Sequence, residues 1–165
     1  PTAHYQIDVG WDYIEQQLVS WSSREGRFGG INLDPDYQRA HVWTLAQQTA
    51  YVEYMLSGGE VGKVITWNCA DWGTTYQSPV ELVDGKQRLE AVRKFMRDDL
   101  RVFGHLKSEI KGFLRFHTAR FQFRVCQLET RAEILDLYLN INAGGTPHTK
   151  EELDRVWALR KAVEK

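Results

Sequence analysis

Apolar residues recur along this chain with two periods, and the periods divide it into helices and strands. Trp11, Ile14, Leu18 and Trp21 stand at helical spacing, which predicts an amphipathic helix over 12–21 with an aromatic inner face. A helix begins at Thr44, where Thr44 and Gln47 have capping-box spacing, runs through Tyr51, Val52, Met55 and Leu56, and stops at Gly58-Gly59. Leu89, Val92, Phe95 and Met96 give a helix over 86–97 one apolar face. Two more capping boxes, Thr130 with Glu133 and Thr149 with Glu152, open the last two helices. Strand signals alternate with these. Phe121, Phe123 and Val125 interleave with Gln122 and Arg124, as on a half-buried strand. Val64, Ile65 and Trp67 are β-prone within 61–69, Val80 to Val83 is a short buried run that completes a hairpin, and Ile31 and Leu33 suggest a short strand. Leu100 to Phe103 reads as another. Residues 105–117 suggest a helix broken near Gly112. The fold class is therefore α+β: a small mixed sheet from 31–33, 61–69, 80–83 and 120–126, packed by helices and capped by the last two.

Composition fits this picture. The chain has 165 residues, 42% hydrophobic and 26% charged, which suits one domain over 1–165 with a real core. No apolar run approaches the roughly 20 residues of a membrane span. Cys69 and Cys126 match no metal spacing and read as free thiols of a soluble, cytoplasmic protein. Net charge is −1 but unevenly spread: residues 1–85 carry four Lys/Arg against eleven Asp/Glu, and residues 86–124 carry eleven against four. The basic middle is either a face for a polyanion such as DNA or a surface that the acidic first half neutralises.

Chemistry concentrates in the loops. Asp84-Gly85-Lys86-Gln87-Arg88 falls where the strand 80–83 becomes a helix. The first N–H groups of a helix lack partners and its dipole is positive there. Gly85 allows close backbone approach, and Lys86 and Arg88 add charge, so the stretch is suited to cradle phosphate. The plainer reading is a helix capped by Asp84, and these residues alone admit both. Pro35 to Arg39 projects Gln38 and Arg39 from irregular backbone after an Asp-Pro-Asp turn. Residues 140–147 form a donor-rich loop with two glycines and Thr146. Arg24 to Gly30 reads as a polar connector. In the loop 71–79, Trp72 either stacks on a base or folds back on the core.

Three polar stretches in this order carry a family resemblance. Pro35, Tyr37, Gln38, Arg39, Val42 and Trp43, then Asp84, Gly85, Gln87, Arg88 and Leu89, then Asn142, Gly145, Thr146, Pro147, Thr149, Glu152 and Leu153 match the pattern of domains marked by a DGQQR signature. The chain resembles the domain at the front of GmrSD-type and SspE-type anti-phage proteins, in a standalone phage or prophage form. Lys86 departs from that pattern by replacing the first glutamine. The larger relatives carry an H-N-H nuclease domain further on, and a chain ending at Lys165 is expected to lack it. The family looks like a branch of the ParB and sulfiredoxin superfamily, whose members bind nucleotides beside a strand-to-helix turn. The turn here has no cysteine, which disfavours sulfiredoxin-like redox chemistry.

The resemblance implies a nucleotide-dependent phosphoryl-transfer enzyme, an NTPase or a kinase, using ATP or GTP with Mg²⁺. Gly85, Lys86, Gln87, Arg88 and Gln38 are then expected to hold nucleotide and phosphate. Asp36, Asp84 and Arg39 are expected to be catalytic, with Asp84 also the metal ligand. Asn142, Gly145 and Thr146 are expected to form a second wall. The expected partners are nucleotide and, through 86–124, DNA; a homodimer is a candidate assembly. The alternatives are a non-catalytic DNA-binding or sensing module switched by nucleotide, or a nuclease-associated subunit. No nuclease constellation is visible, so direct nuclease action ranks last.

Overall fold

The structure, a computed structural model, describes residues 4–22, 28–38, 43–110, 119–142 and 150–163. Among these residues five strands form one sheet: β1 (Tyr5–Gly10), β2 (Ile31–Asn32), β3 (Val64–Asn68), β4 (Val80–Asp84) and β5 (Arg120–Cys126). Their order is β1-β5-β3-β4-β2. β1 pairs antiparallel with β5, and β3 with β4, whereas β3 runs parallel to β5 and β2 to β4. Among the described residues the α-helices are α1 (Ile14–Ser22), α2 (Leu45–Leu56), α3 (Lys86–Met96), α4 (Arg131–Asn142) and α5 (Lys150–Ala162). This is the α+β architecture that the periodicity predicts.

Two strand expectations need correction. β1 was not expected, although Tyr5, Ile7 and Val9 alternate; it is an edge strand with only Val9 buried, so its apolar signal is weak. Leu100 to Phe103 is not a strand. Leu100 and Val102 are buried, but the chain reverses at once through Phe103 (φ +52°) and Gly104 (φ +80°), leaving one isolated bridge between Val102 and His105. β3 is also shorter than expected, because Val61 and Gly62 form a turn with Gly62 at φ +84°.

The capping chemistry is present where it is described. Gln47 N–H donates to Thr44 Oγ1 at 3.2 Å while Thr44 N–H donates to the Gln47 side chain at 2.8 Å. Thr130 and Glu133 exchange the same two bonds at 3.0 and 3.3 Å. Thr149, most of the connector at 24–27 and the region of Gly112 lie outside the described residues.

Two apolar layers sandwich the middle of the sheet. One packs Trp11, Trp21, Trp67, Phe95, Phe121 and Phe123 with α1, α2 and α3. The other packs Tyr37, Val83, Cys126, Leu135, Tyr138 and Val156 with α4 and α5. β4 contributes Leu82 to the first and Val83 to the second, so it is buried on both faces. Its C-terminal end is thereby fixed between the layers. Trp72 folds back: its ring lies 6.1 Å from Trp21 and stacks on Phe28 at 5.5 Å. Among the described residues no helix is long and apolar enough to cross a membrane.

The loop after β3 is held by one carboxylate. Asp71 accepts from the Thr75 hydroxyl, from Gln77 N–H at 2.6 Å, from Ser78 N–H at 3.1 Å and from the Cys69 thiol at 3.4 Å. Burial opposes the charged form, but these hydrogen bonds together hold the carboxyl well below the usual range. The two cysteines are free, and burial, helped by Asp71, pushes the Cys69 thiol up to about 12. A depressed folded-state pKa stabilises fully above the unfolded value of about 3.9, and the gain disappears as pH falls through the folded value. Asp71→Asn should therefore be less stable than wild type at neutral pH. The gap between their urea midpoints should narrow as pH falls below about 4.

Candidate functional site

The junction of β4 and α3 forces an unusual backbone. Gly85 sits at φ +102°, and a Cβ there would lie 2.5 Å from Ile65 Cδ1. Gly85, not Asp84, is the N-cap of α3, so the cap residue supplies no side-chain hydrogen bond of its own. Asp84 instead pairs with Arg88 one turn on. The Arg88 guanidinium also donates to the carbonyls of Gly62 at 3.0 Å and Val64 at 2.9 Å. One side chain thus ties the signature turn to the turn before β3.

Described residues of the two other polar stretches come to the same place. Gln38 Nε2 donates to the Leu82 carbonyl of β4, and Trp43 N–H donates to Gln87 Oε1 at 3.0 Å. Both glutamines are more than nine-tenths buried and fasten the first stretch to the second. Asn142 ends α4 on the opposite side, its amide donating to the Tyr138 carbonyl at 2.7 Å. Between them lies a cleft of about 410 Å³. Gln38, Asp84, Gly85, Lys86, Gln87, Arg88 and Asn142 line it, together with Trp43, Gly62 and Tyr138. Lys86 also reaches out of the cleft to pair with Asp34.

A model of the GmrSD restriction endonuclease N-terminal domain matches residues 23–119. The chain belongs to this family. No curated protein and no solved structure matches it. The span matched by the GmrSD N-terminal domain holds the first two polar stretches. α4 and α5 lie beyond it, yet α4 supplies a wall of the cleft.

The remaining expected residues fall elsewhere. Asp36 is not part of the cleft lining; it forms an ion pair with Arg131 of α4. Arg39, Gly145 and Thr146 lie outside the described residues. Several cations of the basic segment pair with acids of this chain. Arg93 and Arg97 converge on Glu15 at 2.6 and 3.0 Å, Arg101 meets Glu109 at 3.1 Å, and Lys107 and Arg120 reach Asp12 and Asp8.

Sequence reasoning missed the supports behind the cleft. Glu81 accepts from the Tyr37 hydroxyl at 2.8 Å, from Asn32 at 3.2 Å and from Arg131 at 3.2 Å. Arg131 also lies 4.6 Å over the Tyr37 ring. Burial, reinforced by Glu81, raises the Tyr37 pKa far above its ordinary value and keeps the phenol a donor. From α5, Arg155 donates to the Gln38 carbonyl at 3.0 Å. The signal for Glu81 was present: an acid inside Val80-Glu81-Leu82-Val83 needs buried partners. Arg131 and Arg155 carry no such mark.

Gly85→Ala should cost about 2–4 kcal/mol, combining left-handed strain with overpacking against Ile65. Gly30→Ala, at φ +109° with nothing within 4 Å of the added Cβ, should cost only the strain, about 1–2 kcal/mol. Urea unfolding of the two variants reads the difference.

Proposed function

We propose that the cleft binds a nucleoside triphosphate, ATP or GTP, and that the domain transfers its terminal phosphoryl group to water or to a hydroxyl. The observation that carries this reading is convergence. Described residues of three polar stretches far apart in sequence, Gln38 and Trp43, Asp84 to Arg88, and Asn142, line one cleft at a helix start whose cap is a glycine. A helix N-terminus with no side chain on its cap favours phosphate, and Lys86 adds a full charge. Arg88 takes the role of holding Asp84 and the 62–64 backbone in place. Trp43 offers aromatic surface for the nucleoside, and Asn142 a polar edge.

Mg²⁺ bound with a nucleotide needs one or two carboxylates and completes its shell with phosphate oxygens and water. Asp84 is the acidic residue of the described cleft lining, and no group of three His, Cys, Asp or Glu converges among the described residues. This donor set fits an ion shared with the nucleotide, held by Asp84 and neutralising phosphate charge. A second reading follows from the Asp84–Arg88 pair. If that pair stays closed over bound nucleotide, Asp84 cannot serve metal or nucleophile, and the cleft is a sensor rather than a catalyst.

Incubation with ATP or GTP and Mg²⁺, with and without DNA, separates the outcomes. Free phosphate means hydrolysis, and labelled DNA means a kinase. Binding without either product means a sensor, and no binding to any nucleotide removes the reading. Lys86→Gln should weaken nucleotide binding by on the order of ten-fold, the value of one charge-assisted contact. Asp34→Asn should do the reverse and tighten it several-fold at low salt, because one acid that competes with phosphate for Lys86 is neutralised. In about 1 M salt, where screening acts within about 3 Å, that gain should vanish.

A further inference from the structure

Among the described residues the sheet has two edges, and they differ. The order β1-β5-β3-β4-β2 leaves β2 at one end and β1 at the other. β2 has two residues, too few to template another strand, whereas β1 has six and pairs with β5 without a break in register. The ladder fixes which backbone groups of β1 are free. Trp11 N–H donates to the Ala119 carbonyl at 3.0 Å, so the odd residues of β1 exchange hydrogen bonds with β5. On β5, Gln122 N–H donates to the Lys63 carbonyl on the β3 side, which gives the same alternation from the other strand. Gln6, Asp8 and Gly10 therefore turn their N–H and C=O groups away from β5, where no other described strand meets them.

Proteins block such edges with proline, lysine, a bulge or a very short strand. Tyr5-Gln6-Ile7-Asp8-Val9-Gly10 has none of these. Its one charge, Asp8, lies 3.7 Å from Arg120 of β5. Aromatic surface borders the edge: Tyr5 is 38% exposed, and Tyr13, packed beside Gly10, is 65% exposed. An unblocked edge with apolar borders is suited to receive one more strand.

We propose that β1 pairs antiparallel with β1 of a second copy of this chain, joining the two sheets across a two-fold axis. The strand is complementary to itself in one register. Even residues carry the outward groups, so only registers that set even residues opposite even ones form a ladder. Two of these overlap the strands most. One sets Asp8 against Asp8 of the second copy, and like charges directly opposite destabilise. The other sets Gln6 against Asp8 of the second copy, where the amide donates to the carboxylate. It also sets Ile7 against Ile7 and Tyr5 against Val9 on the face that packs on the core. The second register is the one assigned. A two-fold interface uses one patch twice, so no other partner chemistry is needed. The proposal is independent of nucleotide binding in the cleft.

Sedimentation velocity of the full chain should show the mass rise with concentration from 19.2 kDa toward twice that value, at the weak end expected of a small interface. Gln6→Pro removes an outward N–H and no bond to β5, so the melting temperature of the dilute variant should stay near wild type. It deletes one intermolecular hydrogen bond per copy and should weaken association by on the order of ten-fold or more. Ile7→Cys brings two Cα atoms to about 4.5 Å in a pair of this type, so mild oxidation should link the copies. Gln6→Cys stands two residues out of line with its own copy and should not link. Cys69 and Cys126 are buried and do not compete. A monomer at every concentration would overturn the self-pairing and leave the edge to a strand of another protein. A dimer that a folded Gln6→Pro does not weaken, or one in which Gln6→Cys links as readily as Ile7→Cys, would overturn it as well. If Gln6→Pro does not fold, the two cysteine variants decide.

Discussion

β4 is buried on both faces, and most of what surrounds the cleft follows from that constraint. Leu82 and Val83 commit the strand to two apolar layers at once. A strand so held cannot shift or twist away at its end, so the chain must leave it abruptly, and it does so through Gly85 into α3. Ile65, one strand over, closes the space a Cβ would need. The helix start is therefore fixed to the rigid centre of the molecule rather than to a loop. Fixed donors do not have to be ordered again when an anion arrives.

Polar groups next to that junction are bound to one another more than to solvent. Gln38 and Gln87 fasten the first polar stretch to β4 and α3, and Arg88 spans Asp84 and the turn before β3. Behind them Glu81 collects Tyr37, Asn32 and Arg131. Buried polar groups are tolerable only when such partners are present, and a satisfied network rigidifies what it touches. Part of the polar character of these stretches thus serves assembly of the cleft, and part faces into it.

The loop after β3 repeats the device at smaller scale. A single carboxylate, Asp71, takes the place that a network takes at the cleft. It holds Tyr76 in a left-handed backbone that a bulky residue disfavours, in the same loop as Trp72. Both places combine an oxygen acceptor with left-handed backbone, and both leave a cavity beside it.

Much of this was legible from residues alone. Periods of 3.6 and 2 located the helices and four of the strands, because burial of one face is a local property of spacing. The three polar stretches were legible because Gly, Asn, Asp and Pro mark backbone that regular elements cannot use. The sequence by itself therefore determined most of the element order, the caps at Thr44 and Thr130 and the turn at Gly85. Only the tertiary structure decided which polar residues share a site. Asp36 and Asp84 looked alike as candidates, yet one pairs with Arg131 and the other lines the cleft. β1 became a strand because β5 offered it a free edge. Arg131 and Arg155 became supports of the first polar stretch because α4 and α5 pack across the second layer. Such pairings join residues tens of positions apart, and no local pattern encodes a partner that folding alone brings near.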